Sequence, residues 1–234
     1  MRLPTERDTG AIPMDDCPLL FDVDGVIVRH HRAGPTVYTK AIDEAFAEFD
    51  VSLTAEERQS FVGDVSPERM RSICRTYGLD LPTLWPVREQ AVSAAQQALC
   101  RAGERVLFDD VRALSKLAGS HPIAFVSNNQ HATIEFMLDH FGLESLVDTA
   151  YGREPTWDGF ERRKPDPYYI EQAMTDLECD GGLYVGDRAT DIEAARRAGL
   201  EAVYLDRTQS QPTAPSPDAT IQSLTALPSV IDRL

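Results

Sequence analysis

The chain of 234 residues predicts an α/β fold: a doubly wound, three-layer parallel sheet (Rossmannoid) with an α-helical domain inserted after its first strand. Three observations carry this. Short apolar runs recur at 19–23 (LLFDV), 123–127 (IAFVS), 183–187 (LYVGD) and 202–205 (AVYL), with a weaker one at 148–152 (DTAYG). Near-continuous runs of this kind, alternating with helical periodicity, describe strands covered on both faces. Between the first two runs, residues 35–102 offer only helical patterns, far more chain than a simple crossover between parallel strands needs. Finally, polar residues cluster at the ends of the runs, where parallel sheets bind ligands.

Taken in order, residues 1–16 (MRLPTERDTGAIPMDD) alternate charges and prolines and read as an N-terminal tail without the apolar region of a secretory signal. Residues 17–34 open the core with the first strand. The insertion at 35–102 contains four helical stretches, at 36–49, 54–62, 66–78 and 86–103. Thr54 with Glu57 completes a capping box, whereas Ser66 is followed by Arg69 and supplies half of one. The core resumes over 103–234 with a helix and the second strand. Later helices include ATIEFMLDHFG, stopped by Gly142, PYYIEQAMTDL, opened by Pro167, and TDIEAARRAG, stopped by Gly199. After a proline-rich loop at 207–219, TIQSLTALPSVIDRL predicts a last short strand and a helix.

Composition narrows the function. No run approaches the roughly 20 apolar residues of a membrane helix, so a cytoplasmic location is expected. Cys17, Cys74, Cys100 and Cys179 form no C-x-x-C pair and read as buried free thiols. Twenty-three basic against 38 acidic side chains leave a net charge of -15, which disfavours a nucleic-acid partner. Lysine occurs only at 40, 116 and 164. A strongly acidic, lysine-poor surface suits a halophilic host; an acidic protein from a GC-rich genome is the alternative.

The polar clusters suggest chemistry. Asp22 and Asp24 follow the first strand, Ser127, Asn128 and Asn129 the second, and Asp187 with Asp191 a later one. Carboxylates at the end of a buried strand call for a cation, and converging Asp22, Asp24, Asp187 and Asp191 suit a hard ion such as Mg²⁺. Residues two apart in an extended segment share a side, so Asp22 is placed to serve as nucleophile and metal ligand while Asp24 acts as acid and base. Gly25 lets the chain turn after them. Ser127 and the N–H groups of Asn128 and Asn129 form an anion site at a helix start, or else the serine or an asparagine simply caps that helix. Lys164 is placed to neutralise both a phosphate and the nucleophilic carboxylate. Asp191 doubles as a first-turn acid of the helix that follows.

These four clusters, in this order, resemble those of the haloacid dehalogenase superfamily of phosphatases and phosphotransferases. DVDGV resembles its first motif, Ser127 the second, Lys164 with Pro165 the third and GDRATD the fourth, over about residues 18–206. The resemblance implies that Asp22 attacks phosphorus to form an aspartyl-phosphate and that Asp24 protonates the leaving group and then activates water. Ser127 and Lys164 would hold the phosphoryl group, and Mg²⁺ would be bound by Asp22, the Asp24 backbone carbonyl and Asp187, supported by Asp191. An aspartate at 24 separates the chain from the dehalogenases of the superfamily. The insertion resembles the family's helical cap, and FVGDVSPER resembles a cap loop that reaches the active site, making Gly63, Asp64 and Arg69 candidate specificity residues. Val26 stands where threonine is frequent. RHHR at 29–32 replaces the usual acidic and hydroxyl residues, which disfavours a direct transfer of substrate from known members; His30 and His31 sit where substrate contact or a solvated hinge is expected. The expectation is a Mg²⁺-dependent phosphatase acting on a small phosphorylated metabolite, as monomer or homodimer. A phosphomutase like β-phosphoglucomutase and a non-catalytic binding module are the alternatives.

Overall fold

The computed structural model describes residues 17–29, 36–62, 66–208 and 216–233. Its six-stranded sheet comprises β1 (Leu19–Phe21), β2 (Ile123–Gln130), β3 (Thr149–Arg153), β4 (Leu183–Gly186), β5 (Glu201–Leu205) and β6 (Ala219–Ile221). The order across it is β3-β2-β1-β4-β5-β6, every pairing parallel. Chain order reverses at β1, so β2 and β4 flank it, with Leu19 opposite both Ile123 and Leu183. Such a switch point leaves a crevice outside the carboxyl ends of these strands.

Alternation along the strands builds the two faces. Leu19 and Phe21 join one apolar cluster, in which Phe21 meets Phe125 edge-on at 6.3 Å. α6 (His131–Phe141) and α10 (Leu227–Ile231) cover that side through Ile134, Met137, Leu227 and Val230. Leu20, Ala124 and Tyr184 point the other way, towards α8 (Tyr168–Asp176) and α9 (Ala189–Arg197). Burial on both sides is what the unbroken apolar runs require.

After β1 come, in order, α1 (Thr36–Ala47), α2 (Ala55–Gln59), α3 (Pro67–Thr76) and α4 (Leu81–Arg101). They enclose an apolar cluster of their own, including Ile42, Phe46, Phe61 and Trp85. The Thr54–Glu57 capping box forms at α2. Helix α4 starts five residues earlier than the sequence suggests, because Asp80 caps it by accepting from the Thr83 N–H at 3.1 Å. Pro86 is accommodated inside it. The chain leaves and re-enters the core side by side: Val28 bridges Leu107 in antiparallel fashion, and the Arg29 N–H donates to Val106 O at 2.8 Å. The helix expected before β2 is the short α5 (Leu114–Leu117), preceded by a 3-10 turn at Asp109–Ala113. From the core, α7 (Trp157–Glu161) presses Trp157 and Phe160 into the helical cluster, the two tryptophan rings meeting edge-on at 5.0 Å.

Candidate active site

The carboxyl ends of β1, β2 and β4 converge on a cavity of about 390 Å³ whose wall includes Asp22, Asp24, Ser127, Asn128, Lys164 and Asp191. Asp22 follows β1 directly, its N–H donating to Val185 O at 2.9 Å. At the next turn Gly25 takes φ +88°, and a Cβ there would lie 1.9 Å from Asp187 Oδ2, so both the turn and the placement of Asp187 demand glycine. Gly186, at the end of β4, is under a similar constraint: its Cβ would meet that of Asp191 at 2.2 Å.

Lys164 organises the centre. Its ammonium donates to Asp22 Oδ1 at 2.8 Å, to the Tyr184 hydroxyl at 2.6 Å and to Val126 O at 3.1 Å, and pairs with Asp191 Oδ1 at 2.7 Å. Burial alone would lower the lysine pKa, but Asp191 and Asp22 hold it well above its usual value. Asp22 is pushed up to about 7, by burial first and then by the negative charges of Asp191, Asp24 and Asp187, against the pull of Lys164. Asp22 and Asp191 thus share one ammonium. Ligand oxygens of Asp22, Asp187 and Asp191 all lie within 4.8 Å of one another. A compact, all-oxygen, carboxylate-rich donor set is what a hard divalent cation takes, so the residues fit Mg²⁺.

The structure separates roles that the sequence left merged. Asp24 turns its carboxylate away from the three-carboxylate cluster: one oxygen pairs with Arg105, and the other accepts from Asn129 Nδ2 at 2.9 Å. Asn128 clamps the lysine from behind, accepting from the Lys164 N–H at 2.8 Å and donating to its carbonyl at 3.1 Å, so its side chain positions Lys164. The helix-capping alternative for Ser127 does not hold. β2 continues to Gln130, which is the N-cap residue of α6, and the Ser127 hydroxyl accepts from the Asn129 N–H at 3.2 Å within the strand end. The expected helix start at Ser127 fails because the strand keeps its extended course through a register shift between Val126 and Gln130. Asp191 accepts from the Arg188 N–H at 3.0 Å at the start of α9, as a first-turn acid does, and its other oxygen pairs with Lys164.

Cap residues fare differently. Gly63, Asp64, His30 and His31 lie outside the described residues. Arg69 is not brought to the cavity: it pairs with Glu56 at 3.2 Å on the surface, which removes it as a specificity residue. The groups that do reach the cavity were not singled out from the sequence: Arg88 and Gln96 of α4, Arg105 beyond it, and Arg153 at the end of β3. A signal was present for α4. Leu81, Leu84, Arg88, Val92, Gln96 and Leu99 recur at helical spacing on its buried side, and a charged or amide residue on such a stripe needs polar company.

The family model for haloacid dehalogenase-like hydrolases matches residues 19–205. The chain belongs to this family. It is 25% identical over 219 residues to a phosphoglycolate phosphatase of Rhodobacter capsulatus, covering 92% of this chain and 96% of that one. A second phosphoglycolate phosphatase, plasmid-borne in Cupriavidus necator, is 31% identical over 114 residues, 47% of this chain and 48% of its own. Among solved structures, a HAD phosphatase from Thermococcus onnurineus has a TM-score of 0.65 at 18% identity, covering 92% of this chain and 97% of that one. CbbY of Rhodobacter sphaeroides, solved with phosphate, scores 0.63 at 21% identity over 90% and 95%. The haloacid dehalogenase-like chain is thus a phosphoric monoester hydrolase with the fold of that superfamily. Among its described residues no helix is long and apolar enough to cross a membrane.

Proposed function

We propose that the protein is a Mg²⁺-dependent phosphatase that hydrolyses a small phosphorylated metabolite through an aspartyl-phosphate on Asp22, with α1–α4 as a cap over the site. The observation that carries this is the grouping of Asp22, Asp187 and Asp191, two of them paired with Lys164, at a cavity of about 390 Å³ lined by Asp22, Asp191 and Lys164. Asp22, Asp187 and Asp191 would hold the ion, which when bound supplies positive charge to phosphoryl oxygens.

The rest falls to the protein's own side chains. A carboxylate oxygen of Asp22 attacks phosphorus while the ester P–O bond breaks, and Asp24 gives its proton to the departing alcohol oxygen. In the second half Asp24 takes a proton from water, which attacks phosphorus, releasing inorganic phosphate and restoring Asp22. The Ser127 hydroxyl and the Lys164 ammonium stabilise the transferring phosphoryl group. The hinge pair at Val28 and Leu107 lets the cap open for release.

Hydrolysis of p-nitrophenyl phosphate, with and without Mg²⁺, tests the reading alongside Asp22→Asn. Metal-dependent release of phosphate that the variant abolishes is expected. Full activity in the variant, or none in the wild type across a broad phosphate panel, removes the mechanism. Isomerisation of a sugar phosphate without net phosphate release replaces it with a mutase.

A further inference from the structure

Arg153 stands where three parts of the fold meet. It ends β3, 5% exposed, opposite Gln130 of β2. The preceding pair joins Val126 to Tyr151, so Ser127, Asn128 and Asn129 of β2 stand against Gly152 alone. Bulges of this kind re-aim side chains beside active sites, and this one carries the Ser127 hydroxyl. Gly152 permits the close approach, because a Cβ there would lie 2.6 Å from His131 Cα.

Inside the bulge, Arg153 Nε donates to the Asn128 carbonyl at 2.5 Å. The Asn128 side chain in turn accepts from the Lys164 N–H at 2.8 Å and donates to the Lys164 carbonyl at 3.1 Å. The backbone that delivers the ammonium to Asp22 and Asp191 is therefore held by Asn128, and Asn128 by Arg153. The same guanidinium faces the helical insertion: Nη2 pairs with Glu89 Oε2 of α4 at 3.0 Å, while Glu89 Oε1 accepts from Arg88 at 2.5 Å.

We propose that Arg153 is a positioning residue, which holds the Ser127–Asn129 bulge and, through Asn128, the placement of Lys164, in register with α4 by way of Glu89. Its kinetic consequence rests on the phosphatase reading above; its structural consequence does not. Adhesion between α4 and α7 comes from Trp85, Trp157 and Phe160. A buried ion pair adds little stability beyond what apolar residues would supply, and its use here is to specify register. A guanidinium presents its donors in one plane, so Nε and Nη2 meet the carbonyl and the carboxylate together in one placement of α4 against β3.

Hydrogen exchange in the full chain tests the structural half without any substrate. Arg153→Met leaves Arg88 and Glu89 matched in charge, so the fold is expected to survive. In that variant the Lys164 amide is expected to exchange at least tenfold faster, whereas the Asp22 amide, bonded to Val185 O, keeps its wild-type rate. With Mg²⁺ and p-nitrophenyl phosphate, kcat is expected to fall at least tenfold while KM stays within threefold, since a misplacement of about 1 Å can cost about a hundredfold. Glu89→Gln approaches the link from the other side and should move both readouts in the same direction. Combined with Arg153→Met it should add nothing, because both act on one connection. Lys164 exchange within threefold of wild type in a folded Arg153→Met overturns the proposal. Equal acceleration at Asp22 and Lys164 does so too, as general loosening, and so does a raised KM with unchanged kcat, as direct contact with substrate. Additive losses in the double variant remove the link to α4 and with it the proposal. If the wild type hydrolyses no ester, the phosphatase reading falls and exchange at Lys164 still decides the part of Arg153, whereas hydrolysis with unchanged exchange does the reverse.

Discussion

Replacing the proposed nucleophile is expected to make the metal-free protein more stable. Asp22 is buried beside Asp191, Asp24 and Asp187, and its carboxyl is pushed from 3.8 up to about 7. Each pKa unit corresponds to about 1.4 kcal/mol, so ionising Asp22 in the folded state at pH 8 opposes folding by at most about 4 kcal/mol. Asp22→Asn removes that charge. Lys164 loses one partner but keeps Asp191, Val126 O and the Tyr184 hydroxyl, which limits the loss on the other side, and a net gain of about 1–3 kcal/mol remains. For a chain of this size that is roughly 2–10 °C in melting temperature. The pKa is raised in the folded state, so the favourable contribution of Asp22 is complete below about pH 4 and is lost as pH rises through about 7. The gap between variant and wild type therefore opens across that window and levels off above it. Thermal melts in EDTA at pH 5, 6, 7 and 8 measure it, and Mg²⁺ should narrow it by stabilising the wild type more. A variant less stable than wild type in EDTA at pH 8, or a gap that does not change with pH, would refute the electrostatic account of the site.

Removing the cation has the opposite sign. Lys164→Met leaves Asp22 and Asp191 facing each other in a buried site and should cost about 3–5 kcal/mol, measured by denaturant unfolding in EDTA. Gly25→Ala forces a side chain into Asp187 at a left-handed backbone position, and is expected to lower Mg²⁺ affinity at least tenfold by calorimetry while the far-ultraviolet circular dichroism is unchanged. The chain's two tryptophans face each other across the seam between α4 and α7, so cap opening should shift the emission maximum to the red, and Trp157→Phe should remove most of the ligand-dependent change. If the acidic, lysine-poor composition reflects a saline host, the melting temperature should fall on dialysis from concentrated KCl to dilute buffer; full stability without salt would discard that idea.

The sheet and the residues around Asp22 were legible because topology makes long sequence separations short. Asp22 and Asp187 each follow a strand and Ser127 lies in the C-terminal half of β2, and parallel strands that share a sheet deliver their ends to one place whatever lies between them. No comparable rule covers the arginines. Arg105 reaches Asp24 from just beyond α4, and Arg153 reaches Glu89 from the edge strand β3. Both pairings depend on how α4 sits against the core, and that follows from packing of Trp85, Trp157 and Phe160, for which the sequence carries no periodicity linking the partners. The lysines show how composition can still point inward. Lys40 and Lys116 are exposed, whereas Lys164 is 3% exposed and faces two carboxylates, a phenol and a carbonyl at once. A compact ammonium can direct its protons to partners on several sides, whereas a guanidinium presents its donors in one plane. In a chain that takes nearly all its positive charge from arginine, the convergent arrangement at the end of β1 requires the other cation, and this is the physical reason that the exception at position 164 carries information.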